Sequence, residues 1–274
     1  MKNLNDKVVV ITGAAGGMGR EMAIQAAQQG ALLAISDWND DALNETADLC
    51  KQAGGKRVRA DKVDVSDREA MKTWAASVAE EFGRVNMVIN NAGVSVTGDF
   101  ETMSYDDFDW IVGINFYGVV HGTKEFLPHL IASGDGALVN ISSLFGLVSM
   151  PGQSAYNATK YAVRGFSEAI REEMLINKHG VSVTVVHPGG IRTGIARNGR
   201  KNAEIDASKI DNLFDKKLAR MGADKAARII LKGALKKQAR VLVGIDAHLI
   251  HHLAKNVGSS YQDVVARFYP AAAK

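Results

Sequence analysis

Short apolar runs alternate with longer amphipathic stretches along most of the chain. The runs lie at residues 7–12, 31–36, 57–65, 85–94, 137–142, 181–190 and 240–244. A continuous apolar run of this length is typical of a strand that is buried on both faces. Strands alternating with helices across short turns predict right-handed crossovers and a parallel sheet. We therefore expect an α/β fold, with one doubly wound parallel sheet and helices on both faces.

The amphipathic stretches predict helices, and two later segments have a different character. Helices are expected at about 67–82, 105–131 and 225–236, and another carries Tyr156 and Lys160 and continues to about residue 177. The segment 192–222 is polar and basic, which favours a flap over a ligand site, and its charges suit either an acidic substrate or a solvated face. The tail 245–274 has moderate helical character. Because we find no repeat or linker, we expect a single domain over residues 1–274.

A glycine-rich turn follows the first predicted strand. TGAAGGMG places Gly13, Gly17 and Gly19 between that strand and a helical pattern that stops at Gly30, with Met18 inside the turn. Glycines at this position permit a tight turn and close approach of the backbone to a ligand. The N–H groups and dipole of the following helix can then hold a diphosphate. Such a turn alone is a weak signal, because glycine-rich turns are common.

Asp37 ends the second apolar run, about twenty residues beyond the glycines, where dinucleotide folds place an acid that binds ribose. Its carboxylate can accept hydrogen bonds from ribose hydroxyls and repels a 2′-phosphate, which favours NAD over NADP. The alternative is a helix cap, but Asn39 and Asp40 lie nearer to the next helix and can serve as the cap.

The end of the fourth predicted strand carries candidate nucleotide contacts. The third run ends at Asp64 and Val65, and the fourth ends in Asn90, Asn91, Ala92 and Gly93. Small residues at the carboxyl edge of a sheet let a nucleotide pass close to the backbone. A plain turn explains this Asn- and Gly-rich sequence equally well.

A hydroxyl, a phenol and an ammonium occur together between residues 143 and 160. Ser143 lies just past the fifth predicted strand, and Tyr156 and Lys160 are four apart on a predicted helix. Residues at this spacing share a helix face, so the ammonium can stabilise a phenolate. A catalytic tyrosine at neutral pH needs its pKa lowered by roughly two to three units. Alone, the pair is more simply a half-buried ring beside a solvated charge.

Other residues near these strand ends have two possible roles each. Asn115 lies among apolar neighbours in a predicted helix and needs a partner, either a core hydrogen bond or a site group. The apolar side chains after Ser143 indicate either a hydrophobic substrate pocket or core packing. They are Leu144, Phe145, Leu147, Val148 and Met150.

Composition excludes several other classes of protein. The chain has 274 residues, 46% of them hydrophobic, and its 33 basic and 30 acidic residues give a net charge of +3. This balance gives no reason to expect nucleic acid. The single cysteine, Cys50, excludes an internal disulfide and suits a reducing compartment. No apolar run reaches membrane-spanning length, and we predict a cytoplasmic protein that binds no membrane and no metal.

These motifs together resemble the short-chain dehydrogenase/reductase family, whose fold is Rossmann-like, over nearly the whole chain. The resemblance rests on TGAAGGMG as the cofactor turn, Asp37 as the NAD-selecting acid, Asp64 and Val65 as adenine contacts, and Asn90-Asn91-Ala92-Gly93 as the sheet motif. It also rests on Asn115, on Ser143 thirteen residues before Tyr156, on Tyr156 and Lys160 as YxxxK, and on PGGIRT, which includes Pro188, Gly189, Ile191 and Thr193.

The resemblance implies hydride transfer between NAD(H) and a secondary alcohol or ketone, with Tyr156 as the acid–base group. Lys160 would lower the pKa of Tyr156 and hold the nicotinamide ribose. Ser143 would bind the substrate oxygen, and Asn115 would anchor a water in the proton path. Ile191 and Thr193 would contact the nicotinamide end. The family also implies a homo-oligomer, most simply a tetramer or a dimer.

Two other functions share part of this pattern. An epimerase or dehydratase of related type has a YxxxK pair, but it resembles a TGxxGxxG turn and has a larger C-terminal domain. An NAD-binding regulator without turnover is expected to lack one of Ser143, Tyr156 or Lys160, and all three are present. The sequence therefore favours the oxidoreductase.

Overall fold

The computed structural model of the protein describes residues 1–195, 198–201 and 221–268. Seven parallel strands form one sheet in the order β7-β6-β5-β4-β1-β2-β3. The strands are β1 Val8–Thr12, β2 Leu32–Asp37, β3 Arg57–Lys62, β4 Met87–Asn90, β5 Gly136–Ile141, β6 Val181–Pro188 and β7 Arg240–Val243. The strand order reverses between β1 and β4, which is where open parallel sheets bind ligands. The predicted doubly wound α/β sheet is confirmed.

Helices cover both faces of the sheet. They are α1 Gly17–Gln28, α2 Asp40–Gln52, α3 Arg68–Phe82, α4 Tyr105–Val112, α5 Gly118–Ala132, α6 Ser154–Ile176, α7 Ala223–Leu235, α8 Ile245–Val257 and α9 Tyr261–Phe268.

Alternate residues of the strands point into two separate cores. In β1, Val9 and Ile11 belong to the core beneath α1, α2 and α7, whereas Val10 belongs to the core that contains Trp74 of α3 and Phe126 of α5. The central strands β1, β4 and β5 are thus buried on both faces, which is why their sequences are apolar runs, whereas the edge strand β3 is only partly buried and is largely polar.

The helix predicted at 105–131 is continuous, but it contains one irregular turn. A π-helical turn at Gly113–Tyr117 separates α4 from α5. Such a turn holds one residue more than an α-helical turn, and it is frequent at functional sites. Helical periodicity does not reveal it, because the apolar pattern continues on both sides.

The third apolar run was predicted to extend to residue 65, but β3 ends at Lys62. The backbone N–H of Val63 still bonds the carbonyl of Asp37, at 2.9 Å. Beyond it, Asp64 and Val65 cross the carboxyl edge of the sheet, so they follow the strand and do not belong to it.

The segments predicted as flap and tail are described in part. Within 192–222, Ile191–Arg192 pairs with Met221–Gly222, and Arg200–Lys201 pairs with Val96–Thr97. Residues 196–197 and 202–220 of the predicted flap lie outside the described residues, and the single-domain assignment stays a prediction. The tail forms α8 and α9. Among the helices described, none has the length and apolar content needed to cross a bilayer.

Candidate active site

The glycine turn between β1 and α1 is shaped by steric limits. Gly13 and Gly17 have φ angles of 67° and 53°, in the left-handed region that favours glycine. A Cβ atom on Gly19 would lie 2.0 Å from the carbonyl oxygen of Gly13. Only glycine therefore allows this turn to close against the first turn of α1.

The N-terminus of α1 differs from those of its neighbours. Side chains of Asn39, Asp67 and Ser104 cap α2, α3 and α4, whereas Gly16 at the N-cap of α1 offers no side-chain hydrogen bond. The first turn of α1 also has no acidic residue, and it contains Met18, which is half-buried against the core. The exposed N–H groups and helix dipole fit an anion, so these residues suit the diphosphate of a dinucleotide.

Asp37 connects the end of β2 to the glycine turn. Its carboxylate accepts hydrogen bonds from the backbone N–H of Ala15 at 3.0 Å and of Asn39 at 3.1 Å. The side chain of Asn39 caps α2 by accepting from Ala42 N–H, so Asp37 is not the helix cap. Its half-buried carboxylate lies at the sheet edge beside the turn, with acceptor capacity left for ribose hydroxyls.

The end of β4 is bonded to the end of β1. The Asn91 amide donates to the carbonyls of Thr12 and Gly13, both at 3.0 Å. The Thr12 hydroxyl accepts from the N–H groups of Asn91 and Ala92, both at 3.1 Å. Thr12 thus fixes the motif that lines the cofactor side, and we assigned it no role from sequence, because a hydroxyl that ends a strand gives no distinguishing signal.

Asp64 and Val65 differ in their surroundings. Asp64 is exposed and accepts hydrogen bonds from the N–H and hydroxyl of Ser66, whereas Val65 is 7% exposed and packs against Gly118 of α5. Both lie past β3 on the carboxyl side of the sheet.

Asn115 lies in the π turn and holds the chain that follows β4. Its amide oxygen accepts from Val94 N–H at 2.8 Å, and its amide nitrogen donates to the Val94 carbonyl at 2.9 Å and to the Thr159 hydroxyl at 3.2 Å. Asn115 is fully buried. The partner that its polar group requires is therefore a core hydrogen-bond network, and this network reaches α6 one residue before Lys160.

Tyr156 and Lys160 face the interior on the same side of α6. The Lys160 ammonium lies 5.5 Å from the centre of the Tyr156 ring and donates to the Ile141 carbonyl at 3.1 Å. Both side chains are buried, at 9% and 3% exposed. A Cβ on Gly93 would lie 3.4 Å from the ammonium, so the motif after β4 and the lysine meet at the same place. The solvated-charge interpretation of this pair is thus excluded.

Burial shifts both pKa values in the direction of the neutral form. It raises the pKa of Tyr156, which the Ser143 hydroxyl lowers by a smaller amount. It lowers the pKa of Lys160 to about 8. The expected lowering of the pKa of Tyr156 by Lys160 together with the cationic nicotinamide stays a prediction, because these shifts are those of the protein alone. Desolvation dominates because both groups lie inside the protein.

Ser143 is held through its backbone as well as its side chain. Its hydroxyl accepts from Phe145 N–H at 3.1 Å, and its carbonyl oxygen lies 2.8 Å from Nδ1 of His187. Nδ1 must carry the proton in this contact, because its partner is a carbonyl. His187 is fully buried on β6, and nothing in the sequence distinguished it from a core histidine.

The PGGIRT segment closes over the glycine turn. A Cβ on Gly17 would lie 3.2 Å from the Thr193 methyl group, and Ile191 is 3% exposed. Behind Pro188, a Cβ on Gly189 would lie 2.2 Å from the Asp246 carboxylate, which accepts from Gly190 N–H at 2.6 Å. Asp246 belongs to α8, so its role could not be predicted without the fold.

The apolar side chains after Ser143 divide between core and site. Leu144 and Val148 are buried against α8 and α9, which makes them core packing. Phe145 packs edge-on against Tyr156, with ring centres 6.1 Å apart. Tyr261 of α9 accepts a hydrogen bond from Ser149 N–H at 2.9 Å. The tail helices thus support the loop that follows Ser143.

This constellation of turn, serine, tyrosine and lysine at one sheet edge agrees with what the comparisons with known proteins found. The sequence model of the short chain dehydrogenase family matches residues 7–204. The chain belongs to this family. It is an oxidoreductase that acts on CH–OH groups.

Individual relatives extend the comparison over the whole chain. The chain is 48% identical to the "Putative oxidoreductase SadH" of Mycobacterium tuberculosis, covering 98% of this chain and 99% of that protein. It is 40% identical to epidermal retinol dehydrogenase 2 of Mus musculus, covering 71% of this chain and 63% of that protein.

Solved structures show the same fold. A short-chain dehydrogenase/reductase of Burkholderia phymatum in complex with NAD superposes with a TM-score of 0.87 at 28% identity, covering 94% of this chain and 95% of that one. Levodione reductase superposes with a TM-score of 0.78 at 26% identity, covering 90% and 98%.

Proposed function

We propose that the protein transfers a hydride between NAD(H) and a hydrophobic secondary alcohol or ketone, with Tyr156 as the general acid and base. One observation carries the proposal: Ser143, Tyr156 and Lys160 converge beside Gly93, at the edge where the uncapped helix α1 begins. A nicotinamide cofactor, when bound, supplies or accepts the hydride.

The cofactor residues follow from the turn and the neighbouring strand ends. The α1 N-terminus and its glycines hold the diphosphate, Asp37 accepts from the adenosine ribose, and Asp64 and Val65 flank the adenine. The remaining contacts toward the nicotinamide end come from the β4 motif and the PGGIRT segment: Asn91, Ala92, Gly93, Pro188, Gly189, Ile191 and Thr193.

NAD is the proposed cofactor because the Asp37 carboxylate repels a 2′-phosphate. The similar structure from Burkholderia phymatum, which contains NAD, supports the same choice.

The proton steps use the buried groups in a defined order. In reduction, the Tyr156 phenol donates its proton to the substrate oxygen while Ser143 donates a hydrogen bond to that oxygen and stabilises its charge. Burial favours the protonated phenol that this direction needs. In oxidation Tyr156 accepts the proton, and the cations near it, Lys160 included, must then lower its pKa.

Lys160 has a second proposed task. Its ammonium donates one hydrogen bond to the Ile141 carbonyl, which leaves two N–H groups for the nicotinamide ribose. Asn115 keeps the π turn and Thr159 in place, and its proposed role is to anchor the water that relays protons from Lys160 to solvent.

A hydrophobic substrate is supported by the wall beside Tyr156. Phe145 presents an aromatic ring there, and the loop that carries it packs on apolar residues of α8 and α9. The similarity to a retinol dehydrogenase and to levodione reductase, whose names indicate an alcohol and a ketone, supports the same class.

The decisive experiment is Tyr156→Phe, which keeps the ring against Phe145 and removes its exchangeable proton. Turnover of an NAD-linked alcohol should fall by about 10² to 10⁴, the usual cost of losing general acid–base catalysis, while NAD affinity stays unchanged. Lys160→Ala should lower both turnover and NAD affinity, and Ser143→Ala only turnover. Tyr105→Phe, at a side chain 86% exposed, is the matched control. Near-normal turnover by Tyr156→Phe would mean that Tyr156 is not the acid–base group, whereas NAD binding without turnover by the parent protein would point to the NAD-binding regulator.

The oligomeric state and the location in the cell stay predictions. A homotetramer or homodimer is supported by aromatic side chains left exposed in the π turn and on α6, namely Tyr117 and Tyr161. No cluster of metal-ligating side chains occurs within residues 1–195, 198–201 and 221–268.

A further inference from the structure

A cavity that the proposed hydride transfer does not use lies beside the loop that follows Ser143. It has a volume of about 440 Å³ and lies between α6, β7, α8 and α9. Its wall includes four basic side chains and two apolar groups: Arg164, Arg240, His251, Lys255, Leu147 and the Tyr261 ring.

The positive charges around this cavity exceed the negative ones. Nε of Arg164 donates to Glu168 at 3.1 Å, and Nη2 of Arg240 donates to the same carboxylate oxygen. Lys255 has no ion pair or hydrogen bond with any residue that the structure describes, and the terminal nitrogens of Arg164 likewise have no such partner. Among the described residues, one carboxylate therefore faces three cations, and each of the three keeps N–H donors without a partner there.

Two histidines near this cavity indicate the same excess of positive charge. The pKa of His251 is lowered by burial first and then by the charges of Arg240, His252, Arg164 and Lys255. The pKa of His187 is lowered to about 4, mainly by burial and then by the charges of Arg240 and Arg164, while the bond to the Ser143 carbonyl and, to a smaller extent, Glu168 raise it. Nε2 of His187 is buried without a hydrogen-bond partner among the described residues.

We propose that this cavity binds a small organic anion, a phosphate monoester or a carboxylate with an apolar body. The terminal nitrogens of Arg164 and the Lys255 ammonium bind the anionic group, and Leu147, Ala254 and the Tyr261 ring cover the apolar part. A volume of about 440 Å³ exceeds what an inorganic ion fills and lies in the range of small-molecule sites.

An anion bound in this cavity would connect α6, the helix that carries Tyr156 and Lys160, to the tail helices α8 and α9. Arg164 lies one turn beyond Lys160 on α6, whereas Lys255 and Tyr261 belong to α8 and α9. An anion held between them adds a bond across the interface that supports the loop from Ser143 to Ser149. The anion is either carried by the substrate or supplied by a separate effector, and both sources have the same recognition chemistry.

The test is isothermal titration calorimetry of the protein with inorganic phosphate and with phenyl phosphate, both at constant ionic strength. Saturating NAD is present, so that the N-terminus of α1 is not available to the probe. Phenyl phosphate should bind more tightly than inorganic phosphate, because only its ring reaches the apolar wall. Lys255→Gln and Arg164→Gln should each raise the phenyl phosphate Kd about tenfold, the usual effect of losing a hydrogen bond to a charged group.

Lys225→Gln, on an exposed position of α7, removes the same charge far from the cavity and should change that Kd less than twofold. An unchanged Kd in Lys255→Gln, or an equal increase in Lys225→Gln, would overturn the proposal. Lys255→Gln is the primary variant because Lys255 has no partner in the described fold, so its replacement leaves folding intact. NAD binding is measured separately, so a failure of the cofactor assignment is distinguished from a failure of the anion site.

Steady-state kinetics with a neutral alcohol distinguish the two sources. Competition by phenyl phosphate means that the site holds an anionic part of the substrate. An unchanged KM with altered kcat means that it holds an effector. If phenyl phosphate changes neither parameter and the variants bind it as the parent does, the cavity is not an anion site.

Discussion

The proposed site has a cofactor end, formed by the glycine turn and the ends of β2 and β4, and a substrate end, formed by the loop after Ser143. Different kinds of contact hold these two ends in place. At the cofactor end the contacts involve mostly backbone groups: the Asn91 amide binds the Thr12 and Gly13 carbonyls, and Asp37 binds Ala15 N–H. At the substrate end the loop after Ser143 depends on side chains of α8 and α9, which come after the last strand of the sheet.

The difference shows which part of the site can vary. Backbone geometry near Gly13 and Gly19 tolerates no added atoms, because a Cβ there meets other backbone atoms that cannot move aside. The substrate end is a packed interface of apolar side chains, which can change in size or shape at moderate cost if its volume is conserved. We expect cofactor binding to be sensitive to single atoms and substrate binding to respond in smaller steps.

The sharpest test of the cofactor end is Gly19→Ala. Its Cβ would lie 2.0 Å from the Gly13 carbonyl oxygen, whereas a Cβ on Gly16 would meet nothing within 4 Å. Overpacking of this kind costs about 1–3 kcal/mol or more, so NAD affinity should fall by about a hundredfold. Gly16→Ala, three residues away, should keep NAD affinity within about threefold, since the added methyl is sterically accommodated. Isothermal titration with NAD measures both, and equal effects would contradict the steric argument.

Lys160, where the two ends meet, should control how stability depends on pH. Its pKa in the folded protein is about 8, below the usual value of 10.5, so the unfolded chain binds the proton more tightly. The contribution of Lys160 to stability should therefore become more favourable as pH rises from about 8 toward 10. Lys160→Met removes the buried charge and should exceed the parent in free energy of unfolding by about 3 kcal/mol at pH 7.

The difference in free energy of unfolding between Lys160→Met and the parent should shrink as pH rises through 8. Urea unfolding of both proteins from pH 6.5 to 9.5 measures this difference. Burial raises the pKa of Cys50 from 9.0 to about 12, which makes the folded protein lose stability above about pH 9. Because both proteins contain Cys50, the difference between them isolates Lys160. A gap that is constant over this pH range would mean that the folded protein leaves the pKa of Lys160 near its usual value.

Replacing Asp37 should change the preference for NAD over NADP by a smaller factor than Gly19→Ala changes NAD affinity. Asp37→Ala removes the charge that repels a 2′-phosphate and the acceptor for Ala15 N–H, so the ratio of NADP to NAD dissociation constants should fall about tenfold or more. Asp37→Asn keeps an oxygen acceptor for Ala15 N–H and removes only the charge. If both variants retain the parent's ratio in fluorescence titrations, Asp37 does not select the cofactor.

The smallest effect is expected at the substrate end. Tyr261→Phe removes the hydroxyl that accepts from Ser149 N–H, at a cost of about 0.5–1.5 kcal/mol. The KM for the alcohol should rise roughly threefold to tenfold while NAD affinity stays the same. Tyr105→Phe, at an exposed side chain, should change neither. An increase in the NAD dissociation constant of Tyr261→Phe would show that the two ends are not separable.

Several features of the site could not be predicted from the residues alone. Apolar neighbours marked Asn115 as unusual, but only the fold shows that its partners are Val94 and Thr159 and that the helix forms a π turn there. The sequence was compatible with Leu144 and Val148 either lining a substrate pocket or packing in the core. The structure shows that they pack in the core, against the tail helices. The pKa of Tyr156 depends on burial, which spacing along a helix does not give.

The sequence by itself determined the order of strands and helices, the parallel sheet and the turn that fits a diphosphate. These depend on apolar runs and on glycines whose backbone conformations few other residues adopt, so the information is local. It also placed Ser143, Tyr156 and Lys160 together, through a spacing along one strand end and one helix. The tertiary structure alone decided that His187 holds Ser143, that Asp246 holds Gly190 and that Tyr261 holds the substrate loop. Each of these contacts joins residues more than forty positions apart, and a hydrogen bond of that kind exists only after the elements have packed.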